Sequence, residues 1–461
     1  MEATSYRASV VHYSQGDRIL AFKDGSLLER LARNRVDDLR FFVADRLGMP
    51  AEEMDLDVIE STMQSYPEES QRLDTYLNRV RLAETLEDGE IKEEMLKAAS
   101  DILEIWEEKG YLTPGVQLTP AIDQWIDRRH FLPSKYDSFR LLVEHQALVN
   151  ETINAGPGPS GKRPFVPFEN PDSDIEHTEF EGGIESYYNR LGISRMGLIR
   201  KFDLCYFTFG YSRMSASPAL PNRHGMTMPV RLNLFSQVNV GDVQASPVYA
   251  LTQGNEAIYV QLDERIVHEW LIRIQCEESS ALSTDSVATT LLSNVFEFSQ
   301  YLDNLPIRTE QRRPMVHLAV YSLLHTYAHH LIQTVTEFAG LDAGSLGEYI
   351  FPADLAFVVF RSGMTMDLGN ISAMWRNNGR AFLDHLLSPI SLDCGLGTLC
   401  TERGGACPDC LMIPEISCIA QNRLLSRSVL NGNGKPEEDG YNDWIEGYLS
   451  VAADRIAPGE R

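Results

Sequence analysis

Residues 394–418 read CGLGTLCTERGGACPDCLMIPEISC and hold five of the seven cysteines in a chain of 461 residues. Cys407-Pro-Asp-Cys410 is a C-x-x-C knuckle, a spacing that lets two thiolates reach one metal ion from a tight turn. Cys394, Cys400 and Cys418 offer three further ligands, and a tetrahedral structural zinc site needs four. Gly395, Gly397, Gly404 and Gly405 let the intervening chain fold back sharply. The stretch therefore reads as a structural Zn²⁺ loop using four of these five cysteines. A site closed by four thiolates leaves no position for substrate, so this motif predicts stability rather than catalysis.

Other readings of the thiols are weaker. A redox C-x-x-C follows a strand and opens a helix within a βαβ unit, whereas the neighbours here are more cysteines. Disulfides need an oxidising compartment, and nothing else in the sequence points to one. The first residues, MEATSYRASV, lack a basic end followed by an apolar run, and no window approaches the ~18 consecutive apolar residues of a membrane span. The expected location is the cytoplasm, with no membrane partner.

The chain carries 66 acidic against 41 basic residues, a net charge of −25, so as a whole it repels phosphate backbones unless basic groups gather on one face. Three small groups exist: Arg128, Arg129 and His130; Arg308, Arg312 and Arg313; Arg423 and Arg427. Solvated surface is the ordinary fate of such groups. Hydrophobic content of 43% gives a core of globular size.

Taken in order, SVVHYS and RILAFK alternate like short strands, after which the chain turns to helical spacing and is strongly acidic from Ala51 to about Arg129. Ile91, Met95, Ala98, Ile102 and Trp106 share one helix face, with Gly110 as the stop. Residues 151–186 form a Gly-, Pro- and acid-rich break. It contains GPGPSGK, Gly156–Lys162, which matches seven positions of a phosphate-binding loop. Arg163 stands where Mg²⁺ ligation needs Ser or Thr, a helical pattern precedes it and Pro164 follows, so nucleotide binding is rejected. Asp172, Asp174, Glu176, Glu179 and Glu181 lack a nearby lysine and an apolar strand, and read as a solvated loop rather than a nuclease centre. From Arg200 to Trp270 the chain reads as strands, then ERIVHEWLIRIQ as an amphipathic helix. Residues 315–338 form a long apolar helix presenting His325, His329 and His330. Thr326 replaces the glutamate of H-E-x-x-H, so a metalloprotease is rejected and buried, hydrogen-bonded histidines are expected. Ser417 is expected to cap a helix, CIAQNRLLSRSVL, leading away from the last cysteine.

In this order HTYAHHLI, AGSLGEYIF, LAFVVF, CPDCLMIPEISC and QNRLLSR resemble the cysteine-rich domain attached to MrfA-type repair helicases. The same domain occurs in the DrmB-like helicase-partner subunits of the DISARM anti-phage system. FGYSR (209–213) and EAIYVQLD (256–263) look like the strand block that precedes it, and the resemblance covers about residues 196–430. It places Cys394, Cys400, Cys407, Cys410 and Cys418 at metal-cysteine positions, His325 and His329 at paired histidines, and Asn422, Arg423 and Arg427 in the helix after the cysteines. Pro408 stands where histidine is common, Ser426 where aspartate is common, and the Gly-rich stretch shrinks to MDLGNIS around Gly369. No motor motif is present.

The expected architecture is α+β: a mostly helical region over 1–150 (a possible helicase tail or docking domain), a linker over 151–186, and a mixed α/β domain over 187–461 with the zinc loop. The leading expectation is a non-catalytic, zinc-binding accessory subunit, or detached C-terminal half, of a DNA helicase or translocase in anti-phage defence, touching DNA through the assembled complex. The alternatives are a metal-dependent nuclease, built on the acid cluster or on His325, His329 and His330, and a scaffold without nucleic-acid contact.

Overall fold

A computed structural model describes residues 12–21, 36–49, 51–52, 56–86, 89–112, 115–116, 122, 138–158, 160–168, 183–213, 219–221, 227–229, 232–276, 282, 286–293, 315–361, 370–397, 400, 405–414, 417–432 and 446–455. The acid cluster at 172–181, the basic groups at 128–130 and 308–313, and Gly369 lie outside them. The fold is α+β. The chain forms two units, one of residues 29–131 and one of residues 1–28 with 132–461.

In the first unit the helical spacing becomes α1 (Val36–Arg46), α2 (Leu56–Met63), α3 (Ser70–Thr85) and α4 (Glu90–Glu108). Helices α2, α3 and α4 close over Trp106, with Ile59, Met63, Leu73, Tyr76, Leu77, Ala99 and Ile102 around it. The apolar stripe of α4 is buried from Ala99 to Trp106, while Ile91 is 65% exposed in its first turn. Gly110 adopts φ +69° and ends the helix, as its position predicts. Beneath the core the buried carboxylate of Glu69 pairs with Lys109 and Arg72 and accepts the Trp106 indole N–H at 3.1 Å. Lys109 first, then Trp106, hold that carboxyl down at about 2 from an ordinary 4.5. A depressed folded value means that Glu69 contributes fully above pH 4.5, and that this contribution is lost as pH falls toward 2. Hydrogen-exchange protection of residues 90–108 should therefore decay between those pH values, and Glu69→Gln should flatten the decay. An unchanged profile in the variant would refute the assignment.

The second unit is built on one curled antiparallel sheet of β1 (His12–Leu20), β2 (Phe165–Pro167), β3 (Ile193–Arg213), β4 (Leu232–Leu234), β5 (Tyr249–Leu262), β6 (Leu346–Phe351) and β7 (Ala356–Arg361). Its order is β1-β3-β5-β7-β6, with β2 and β4 also paired to β3. Both faces are covered, and alternate residues divide between two cores. On β5, Ile258 and Val260 join one core while Ala257 and Tyr259 join the other. On β7, Phe357 and Val359 oppose Ala356, Val358 and Phe360 in the same way.

The helices covering this sheet are α5 (Ser138–Leu148), α6 (Gly183–Leu191), α7 (Glu264–Arg273), α8 (Val316–Ala339) and α9 (Ile371–Leu387). Leu141 and Leu148 of α5 lie in the second core. Helix α8 supplies most of the first core and is buried on nearly every side, as an all-round apolar sequence requires. Asp263 and Asn370 cap α7 and α9 by accepting the backbone N–H groups of Arg265 and Ala373. Among the described residues no helix is long and apolar enough to cross a membrane.

The sheet curls far enough for its two ends to be tied together. Arg18 of β1 donates to the Glu348 carbonyl of β6 at 2.8 Å, and to the Ser417 carbonyl at 3.4 Å. Arg140 of α5 donates to Asp17 at 2.6 Å, to the Arg18 carbonyl at 2.7 Å and to Glu144 at 2.9 Å. Glu144 in turn accepts the Tyr349 hydroxyl of β6. The N-terminal strand thus belongs to the sheet that carries the cysteine segment.

Candidate metal centre

Cys394 follows α9 and the short turn at Pro389–Leu392, and Cys407 and Cys410 form the knuckle. Ligand sulfurs of Cys394, Cys400, Cys407 and Cys410 lie within 4.8 Å of one another. Cys394 and Cys407 lie 3.5 Å apart, Cys400 and Cys410 3.7 Å, and Cys407 and Cys410 3.7 Å. Zinc–sulfur bonds of about 2.3 Å at tetrahedral angles place sulfurs about 3.8 Å apart, whereas a disulfide needs about 2.05 Å. The spacing fits four thiolates around one ion, and none of the seven cysteines is in a disulfide.

The surrounding chain sets this spacing. Cys407 N–H donates to the Cys410 sulfur at 3.3 Å, and the amides of Cys410, Leu411 and Met412 all reach the Cys407 carbonyl at 3.1 Å. Gly405 turns at φ +76°, where a side chain would be strained. Arg427 clamps both ends of the loop, donating to the Leu392 carbonyl at 2.7 Å and the Gly405 carbonyl at 3.1 Å. That guanidinium works inside the fold.

Cys418 sits elsewhere. Its sulfur joins His325 and His329 of α8 and Glu348 of β6, with ligand atoms again within 4.8 Å of one another and every residue buried. His330, one residue on, points away: its ring meets the Ser391 hydroxyl at 3.4 Å, and burial holds it down at about 4. The spacing of α8 thus picks out the pair that shares a face, and separates the third histidine. Glu348 is the member that sequence reasoning passed over. Its signal is a lone acid inside LGEYIF, a strand buried along its whole length.

The segment after Cys418 departs from expectation. No helix starts at Ser417; residues 418–424 run in turns, and only Ser428–Asn431 is helical. Gln421, Asn422 and Leu424 all take positive φ, near +54°, +59° and +62°. The Asn422 side chain explains this, since it accepts the Ile413 N–H at 3.1 Å and donates to the Ile413 carbonyl at 2.7 Å. A helical path would forfeit that two-sided clamp.

The rejected phosphate loop is equally plain. Gly158 N–H goes to the Lys162 carbonyl at 3.0 Å and Gly161 N–H to the Gly158 carbonyl at 2.9 Å, and strand β2 follows in place of a helix. A surface groove beside α7 is lined by Arg265, Arg273 and Arg455, but each is paired with an acid among Asp263, Glu269, Glu446 and Asp454. Neither feature is built for a phosphate.

No family model matches the chain. A curated relative, the DISARM protein DrmB of Bacillus paralicheniformis, is 24% identical over 217 residues. The match covers 43% of this chain and 35% of that protein, so the likeness spans about a third of the relative's length. The chain, whose cluster of four cysteines could hold a metal ion, is similar over 217 residues to a DISARM protein.

Proposed function

We propose that the chain is a zinc-stabilised, non-catalytic subunit that acts with a separately encoded DNA helicase or translocase in anti-phage defence. The observation that carries this reading is the four-cysteine cluster at tetrahedral spacing, in a chain similar to a DISARM protein. Zinc is the metal that such a closed, all-thiolate set suits, and its part is to fix the loop. A catalytic metal keeps a position open, and here four thiolates fill the set. Nuclease chemistry at the histidines is disfavoured because His325 and His329 are 0% exposed, beyond the reach of a phosphodiester.

A subunit role also suits the surface. Eight large apolar side chains along residues 232–251 are exposed, among them Val240, Val243, Tyr249 and Leu251 at 61–67%. Exposed apolar runs of this kind are what a partner protein covers. With a net charge of −25, the chain meets DNA through basic surface contributed by its partner.

Co-expression with a helicase or translocase found encoded nearby should yield a stable complex whose DNA binding weakens with salt. Val243→Asp combined with Leu251→Asp should cut recovery of the complex about tenfold or more, since each buried aliphatic side chain is worth roughly 1.5–3 kcal/mol. A chain that stays alone beside every neighbouring motor, or that cleaves DNA unaided, would refute the reading.

A further inference from the structure

We propose that His325 Nε2, His329 Nε2, Glu348 Oε2 and Cys418 Sγ bind a second zinc ion, in a closed site between α8 and the sheet. The site is distinct from the four-cysteine cluster and independent of the role argued above.

Three separate elements converge here: one helix face, one strand, and the loop after the knuckle. Two of the atoms that meet are otherwise unexplained. His329 Nε2 and Glu348 Oε2 are fully buried and make no hydrogen bond. They face one another at 3.8 Å, too far for a hydrogen bond. Bonds of about 2.0–2.3 Å at tetrahedral angles separate nitrogen, oxygen and sulfur ligands by about 3.3–3.6 Å. His325 Nε2 lies 3.1 Å from Cys418 Sγ. The two distances bracket that expectation. Buried polar atoms left unpaired are destabilising, and a cation between them removes that cost.

The groups behind the four ligands hold them for a metal. His329 donates its Nδ1 proton to the Leu411 carbonyl at 2.8 Å, which fixes the tautomer and turns the Nε2 lone pair inward. Glu348 uses Oε1 to accept the Ile419 N–H at 2.8 Å, leaving Oε2 for the ion. The Cys418 sulfur accepts the Asn422 N–H at 3.1 Å, the contact expected behind a metal thiolate. One carboxylate and one thiolate match the charge of a divalent ion, with the Arg18 guanidinium 3.6 Å from Glu348 Oε1 beside them. Two imidazoles, a thiolate and a carboxylate suit zinc, and full enclosure makes the site structural. The three left-handed residues just after Cys418 fit this picture, since an over-determined anchor is what holds such backbone in place.

The test is zinc stoichiometry and coordination in the purified full-length chain. Two zinc ions per chain are expected. X-ray absorption should give five sulfurs shared by two ions, about 2.5 sulfur and about 1.5 nitrogen or oxygen neighbours per zinc. Glu348→Gln and Cys418→Ser, which leave the four-cysteine cluster intact, should each lose one zinc and move the average to about four sulfurs. One zinc per chain with an all-sulfur shell in the wild-type protein would overturn the proposal, and that measurement needs no variant to fold. Retention of both ions in the Glu348→Gln, Cys418→Ser double variant would overturn it as well.

Discussion

Cys407→Ser is expected to unfold the segment from Pro389 to Asn431. The substitution removes the central member of the cluster, whose sulfur lies 3.5 Å from Cys394 and 3.7 Å from Cys410. It also disturbs the turn whose carbonyl gathers three amides. Structural zinc contributes about 10–16 kcal/mol of folding free energy in small thiolate sites, as much as the whole stability of a typical domain. Loss should therefore reach beyond the loop, through Arg427 to Leu392 and through the Leu411 carbonyl to His329 on α8. Hydrogen exchange at residues 389–431 should rise to unprotected rates in the variant, and in wild-type protein after chelation. Unaltered protection after measured removal of all bound metal would show that the cluster does not need an ion.

Arg140→Met is the second large effect, about 3–5 kcal/mol of destabilisation. Arg140 is mostly buried, and it is the cation for Asp17 and Glu144, whose side chains are 13% and 3% exposed. Its removal leaves two carboxylates enclosed beside one another and unties β1 and α5 from Tyr349 of β6. Burial already pushes the Glu144 carboxyl above its ordinary range, with Arg140 opposing that push. Without the guanidinium the folded value rises further. The folded state then favours the protonated acid, so the loss should be smallest below the ordinary carboxylate range and grow as pH increases. Urea midpoints across pH, with Arg140→Met, Glu144→Leu as the rescuing pair, would check both the size and the direction. Equal destabilisation at all pH values would contradict the assignment.

The cysteine stretch was legible because its logic is local: spacing and turn residues bring Cys407 and Cys410 together whatever surrounds them. The α8 helix was legible from its apolar length, and β5 and β7 from their β-branched and aromatic runs. The site of Cys418 was not, because two of its companions lie 93 and 89 residues away on a helix and the fourth is an acid in a strand. No spacing rule links such positions. The turns of residues 418–424 were hidden for a related reason. Their sequence has helical periodicity, but the Asn422 clamp on Ile413 is a contact between neighbouring loops, and it outweighs propensity. Pairing of β1 with β3 was likewise invisible, since nearly two hundred residues separate the partners.

That last feature sets a timetable for biosynthesis. Arg18 must await partners 330 and 399 positions downstream, Glu348 and Ser417. At a translation rate of about 5–20 residues per second, β1 leaves the ribosome roughly 20–80 s before its second anchor exists. Locking of the first strand to β6 and closure of the Cys418 region are consequently one late event, and a nascent chain stalled before that point would hold β1 through its pairing with β3 alone.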